Sequence, residues 1–162
     1  MPRLCETVLS RAMKVHYHKA IQIIPASLQE CWNFFSTPVN LGKITPPSMD
    51  FRILSQTEPE IYPGQIIIYL VKPAFGIPVT WVTEITYVKK FAYFSDVQRI
   101  GPYKFWHHRH LFHEVPGGVE MRDIVCYALP YGSLGQISRP FVRKRLQEIF
   151  DYRRERIGEI FR

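Results

Sequence analysis

Hydrophobic and polar positions alternate with a period of two through most of the chain and with a period near 3.6 at its end. Residues 14–24, KVHYHKAIQII, alternate and stop at Pro25, which predicts a first strand. Ser27 and Glu30 have capping-box spacing ahead of Leu28, Cys31, Trp32, Phe34 and Phe35, so a short helix follows. In TPVNLGKITPP, residues 37–47, two prolines near the end and Gly42 break up Val39, Leu41 and Ile44, predicting a second, very short helix and a turn. From residue 49 the period is two again. It predicts strands near 49–56, 65–72, 78–88, 91–98, 104–115 and 119–129, with the strongest hairpin signal at Pro116, Gly117 and Gly118. From about 134 to 161, Ile137, Phe141, Leu146, Ile149, Phe150, Ile157 and Ile160 form one broad apolar stripe on a long helix, with Pro140 in its first turns or kinking it.

One strand, two short helices, six consecutive strands and a long final helix make an α+β order with an antiparallel meander of about seven strands. The packing that buries both apolar faces curves the sheet around the C-terminal helix. A length of 162 residues with 46% hydrophobic composition suits one domain with a real core. We assign it to residues 14–162 and expect residues 1–13 to be a flexible N-terminal segment.

Charge and cysteine content narrow the function classes. The opening MPRLCETVLSRAMK lacks the apolar stretch of a secretory signal, and no long uncharged apolar window exists, so the expected location is the cytoplasm. Cys5, Cys31 and Cys126 are widely spaced and are expected to be free thiols. Much of the +7 formal charge falls in the last helix, at Arg143, Lys144, Arg145, Arg153, Arg154 and Arg156, and no nucleic-acid reading motif accompanies it. No nucleic-acid partner is expected, and peripheral contact with an anionic membrane is the weaker reading of a basic face that water can solvate.

Pairing across the turns sorts the side chains by face. With the last hairpin turning at Gly117 and Gly118, Phe112 opposes Asp123, His110 opposes Val125 and His108 opposes Tyr127. Turns at Gly101 and at Lys89–Lys90 set Asp96 against Trp106 and Thr83 against Asp96. One face then carries Trp81, Thr83, Ile85, Phe94, Asp96, Gln98, Trp106, His108, His110, Phe112, Asp123, Val125 and Tyr127, and should look inward. Glu84, Thr86, Ser95, His107, Arg109, His113, Glu120 and Arg122 should face solvent, and His16 and His18 are likewise expected at the surface. Arg153 falls in the apolar sector of the last helix, where it needs a carboxylate or an escape along its stem.

The chain resembles the START-type helix-grip superfamily of SRPBCC proteins, which includes birch-pollen-allergen-like and polyketide cyclase/dehydrase-like members. TPVNL at 37–41, ITPP at 44–47, FGIPVTW at 75–81, DVQRIGPYKFWHHRHLF at 96–112 and MRDIVCYALPYG at 121–132 carry the resemblance, which is nearest to a branch labelled ligand-binding or cell-division-inhibitor-like. It implies a lipophilic ligand held between sheet and helix, and the same fold also hosts enzymes and structural proteins.

The leading expectation is therefore a protein that binds a small hydrophobic or amphipathic molecule, mostly apolar with one polar or acidic group. Trp81, Phe94, Gln98, Trp106, His108, His110, Phe112, Tyr127 and Arg153 would contact it, joined by Phe75. The alternative is a cofactor-independent cyclase or dehydratase using His108 or His110 with Asp96 or Asp123 as acid and base, and Tyr103 or Tyr127 at an oxyanion. A third possibility is that the polar cluster only satisfies itself and fixes register. His108 and His110 at i and i+2 with a carboxylate also have permissible metal spacing. The resemblance implies no metal, so no metal or cofactor is expected. Monomer and homodimer both remain open.

Overall fold

The computed structural model describes residues 13–55, 58–73 and 76–162. Its strands are β1 (Val15–Ile24), β2 (Arg52–Ile53), β3 (Ile66–Val71), β4 (Val79–Lys89), β5 (Tyr93–Ile100), β6 (Phe105–Val115) and β7 (Gly118–Ala128). The helices are α1 (Leu28–Phe35), α2 (Gly132–Ile137) and α3 (Arg139–Ile160), with 3-10 turns at Pro38–Ile44 and Pro47–Met49. The expected segment 1–13 lies outside the described residues except for Met13, as do Cys5 and Phe75.

All seven strands form one antiparallel sheet in the order β1-β7-β6-β5-β4-β3-β2. The meander predicted from residue 49 onward is present, and β1 adds to its far edge beside β7. The strand expected over 49–56 shrinks to the two residues of β2, because Pro46 and Pro47 start a 3-10 turn that runs to Met49 and ends in left-handed Asp50.

The start of α1 follows from its cap. Ser27 Oγ accepts from the Glu30 backbone N–H at 3.2 Å, and the Glu30 carboxylate accepts from the Ser27 N–H at 2.9 Å. This plants Cys31 and Trp32 in the core, where Trp32 meets the rings of Phe91, Phe94 and Phe112 edge-on and donates Nε1–H to Glu60 at 2.8 Å. Cys31 is a free thiol. Burial pushes the Cys31 thiol up to about 11.

The expected single helix over 134–161 is two helices meeting at Ser138. Pro140 has no N–H to give a preceding turn, so it sits in the first turn of α3, where none is needed. The buried stripe of α3 is Leu146, Phe150, Arg153 and Ile157, spaced by four, three and four residues. Ile137, Phe141 and Ile160, placed on that stripe from sequence, are exposed. Ile137 belongs to α2, a helix separate from α3.

Strand register differs from expectation by two residues in the β5–β6 and β6–β7 hairpins and over Thr83–Ile85 of β4, with further one-residue irregularities in β4 on either side of that stretch. Phe112 opposes Met121, His110 opposes Asp123, and His108 opposes Val125. Asp96 opposes His108, and Thr83 opposes Gln98. The last turn is Pro116–Gly117 rather than Gly117–Gly118, and the β4–β5 turn is Lys90 to Ala92, with Phe91 left-handed. A shift of two keeps every side chain on its face, so the face assignment survives while the cross-strand partners change. Ser95 is the exception: it is buried on the outer side, beside the Thr86 hydroxyl at a β4 irregularity.

Candidate functional site

The inner face of the sheet and the buried stripe of α3 do not fill the space between them. They enclose a cavity of about 420 Å³, within the range of small-molecule pockets. Its wall includes Phe34, Leu41, Tyr69, Trp81, Phe94 and Trp106, and its buried charged and imidazole groups are Asp96, His108, His110 and Arg153. Of the contact, acid–base and oxyanion candidates named from sequence, Trp81, Phe94, Asp96, Tyr103, Trp106, His108, His110 and Arg153 line it, and Asp123 stands behind the two histidines.

Gln98, Phe112 and Tyr127 do not line it. Gln98 is used up by the loop after β5, donating Nε2–H to the Tyr103 carbonyl at 2.7 Å and accepting from the Tyr103 N–H at 3.3 Å. Phe112 lies against Trp32 and Phe35 under α1. Tyr127 stands beyond Trp106 and Tyr103, against His16.

The polar cluster is built by register. His110 faces Asp123 directly, and His108 sits between Asp96 on β5 and the strand that carries Asp123. His108 Nε2 lies 2.8 Å from Asp123 Oδ1, and since a carboxylate only accepts, Nε2 carries the proton. His110 Nδ1 is also 2.8 Å from that oxygen but out of line, and it has no hydrogen-bond partner among the described residues. On the other side, His110 Nε2 is 3.4 Å and His108 Nδ1 3.9 Å from Asp96 Oδ2. The two imidazoles lie 3.8 Å apart between centroids, and Phe94 stacks on His110 at 4.2 Å.

Electrostatics separates two histidines of identical chemistry. Burial and the adjacent charge of His110 lower His108 to about 4. Burial opposes the charge on His110 too, but the carboxylates of Asp123 and Asp96 on either side outweigh it and raise its pKa. The proton the pair can hold therefore rests on His110. Asp123 is held far below the carboxylate range because the two imidazoles outweigh its burial. Arg153 is 9% exposed, its guanidinium lies 5.0 Å from the centroid of the Phe150 ring, and its buried Nε has no hydrogen-bond partner among the described residues. Asp96, His108 and His110 each offer a ligand atom within 4.8 Å of the others, which is close enough to share a metal ion.

Several wall residues were not picked out from sequence. Ile67, Tyr69 and Val71 of β3 face the cavity, and Phe34, Leu41 and Ile44 close it from α1 and the following turn. The short apolar run IIIYLV marked β3 as a strand, but with apolar residues at every position nothing in it showed which face was the inner one. His16 and His18, expected at the surface, are turned inward by pairing with Tyr127 and Val125. His16 is buried with Nε2 2.8 Å from Gln136 Oε1, and His18 packs its ring 4.5 Å from Phe150. With only the strand's own alternation to go on, either face of β1 could have been the outer one.

No family model and no curated protein matches the chain. Solved structures do. CV1439 from Chromobacterium violaceum matches with a TM-score of 0.69 at 7% identity, over 90% of this chain and 96% of that one. Ginseng major latex-like protein 151 from Panax ginseng matches with a TM-score of 0.67 at 12% identity, over 91% and 98%. Ara h 8.0201 matches with a TM-score of 0.62 at 12% identity, over 88% and 97%. With a seven-stranded antiparallel sheet, short helices after β1 and a long C-terminal helix, the chain has the helix-grip fold that these proteins share. Among the described residues no helix is long and apolar enough to cross a membrane.

Proposed function

We propose that the protein binds a small, mostly apolar molecule with one acidic or hydrogen-bonding group. Its apolar body would lie against Trp81, Phe94 and Trp106, and its polar group beside Arg153 and His110. The observation that carries this reading is Arg153: a buried cation in the cavity wall, with an unpartnered Nε, among aromatic side chains. A buried polar group without a partner is costly, and a ligand carboxylate in the cavity would relieve it.

Titration with laurate and with dodecanol, followed by the fluorescence of Trp81 and Trp106, tests this. Both should bind one per chain. Arg153→Met should weaken laurate by about 10- to 100-fold, the loss of one charge-assisted hydrogen bond of about 1.5–3 kcal/mol, and leave dodecanol nearly unchanged. Failure of both probes to bind, or equal loss for both, would overturn the reading.

A further inference from the structure

The two histidines of the cavity wall are oriented in a way that self-satisfaction does not require. Each turns one nitrogen to the same oxygen, Asp123 Oδ1, at 2.8 Å. Their remaining nitrogens, His108 Nδ1 and His110 Nε2, converge on one oxygen of the opposite carboxylate, Asp96 Oδ2, at 3.9 and 3.4 Å. Neither of the latter contacts is as short as a good hydrogen bond to a carboxylate, about 2.7–2.9 Å. Two donors that share an ion about 2.1 Å from each lie about 3–3.5 Å apart; His110 already stands at that spacing from Asp96, and His108 stands just outside it.

We infer that Asp96, His108 and His110 form a binding site for one divalent transition-metal ion, with Asp123 as the positioning residue for both imidazoles. Two imidazoles and one carboxylate suit zinc, cobalt or ferrous iron rather than magnesium or calcium. A histidine that ligates a metal almost always donates its other ring N–H to a carboxylate; Asp123 accepts from His108 Nε2 in this way, and His110 Nδ1 lies 2.8 Å from the same oxygen, out of line. The set is buried, at 9%, 6% and 8% exposure for Asp96, His108 and His110, yet all three line the cavity, so coordination positions remain open on that side. Ion binding would draw His108 about half an ångström closer to Asp96. The inference is independent of any organic ligand, since every group in it belongs to the chain.

Titrating chelator-treated protein with Co²⁺, followed by its visible absorption and by calorimetry, with Zn²⁺ as competitor, tests the site. One Co²⁺ per chain should bind and be displaced by one Zn²⁺. Asp96→Asn and His110→Gln should weaken binding by about 100-fold or more, and Asp123→Asn by about 10- to 100-fold. His107→Gln with His113→Gln, on the outer face, should leave it unchanged. Since inner-face variants can lose their fold, ring-nitrogen NMR of the unmodified protein is the second measurement. Zn²⁺ should move His108 Nδ1 and His110 Nε2 and no other imidazole nitrogen to the metal-bound range. Absence of Co²⁺ uptake at millimolar concentration, uptake that the outer-face pair abolishes, or a shift at other histidines would overturn the inference.

Discussion

Replacing Asp123 by Asn keeps the shape of the side chain and removes its charge, so it isolates what that carboxylate does. In the folded protein the group is buried, accepts from His108 Nε2 at 2.8 Å and lies 2.8 Å from His110 Nδ1. Removing one partner of a buried ion pair costs about 3–5 kcal/mol. The asparagine oxygen can still accept from His108, so the low end applies, about 3 kcal/mol. For a chain of this length each kcal/mol moves Tm by about 2–4 °C, giving a fall of roughly 6–12 °C. The variant also removes the larger of the two carboxylate contributions that raise the His110 pKa against its burial, leaving only that of Asp96. His110 then takes up its proton less readily than in the unsubstituted protein, so the deficit grows as pH falls and His110 titrates. Urea unfolding in chelator buffer at pH 7.5 and pH 5.5 measures both effects, with m unchanged. A deficit below about 0.5 kcal/mol at both pH values would refute the claim that Asp123 organises the cluster.

Other outcomes follow from the same geometry. In metal-free protein His108 titrates near 4 against 6.5 when unfolded, so the unfolded chain binds its proton first as pH falls. Stability should drop by up to about 3 kcal/mol between pH 6.5 and 4. His18 and His107, lowered by partial burial, add to that loss, and the raised His110 opposes it from above 6.5; His108→Gln should flatten the profile. Arg153→Met should leave stability unchanged or raise it by about 1 kcal/mol in urea unfolding, because it removes a buried cation whose Nε has no partner. A loss above 2 kcal/mol would mean that the guanidinium is a structural member of the core. Gly118→Ala should destabilise by more than about 2 kcal/mol, since φ is 144° and the added Cβ would lie 2.0 Å from the Ile24 carbonyl oxygen. Unfolding at wild-type denaturant concentration would show that the β1–β7 end can relax.

The fold was legible because each element has its own local signature. The Ser27–Glu30 cap, the period-two runs from residue 65 and the Pro-Gly hairpin each have a physical cause within a few residues. The inward face of β4 to β7 was legible for a subtler reason: side-chain direction depends only on the parity of the register. Parity held where the register itself slipped by two, and the slip hid the fact that matters for the site, that His110 opposes Asp123 and His108 opposes Asp96. The position of a turn within a Gly-rich loop is decided by which residue reaches positive φ, and neighbouring glycines leave that ambiguous. Gln98 was misplaced because its partner is a loop backbone that alternation does not reveal. The inward histidines of β1 were missed because β1 pairs with β7, about a hundred residues away, and nothing local carries that register. Whether the sheet and α3 enclose space depends on the summed volumes of many side chains, which no short motif encodes.

The central claim is that this space receives an apolar molecule and meets its polar end with Arg153. The measurement that tests it most directly is NMR of the protein with one equivalent of laurate carrying ¹³C at the carboxyl carbon. The account predicts a single bound resonance in slow exchange, contacts from the laurate chain to the rings of Trp106 and Phe94, and a shifted Arg153 Nε signal. The cavity-filling variant Ile149→Trp should abolish all three, because Ile149 lines the cavity. An unshifted laurate signal, or a bound signal that persists in Ile149→Trp with Arg153 undisturbed, would contradict it.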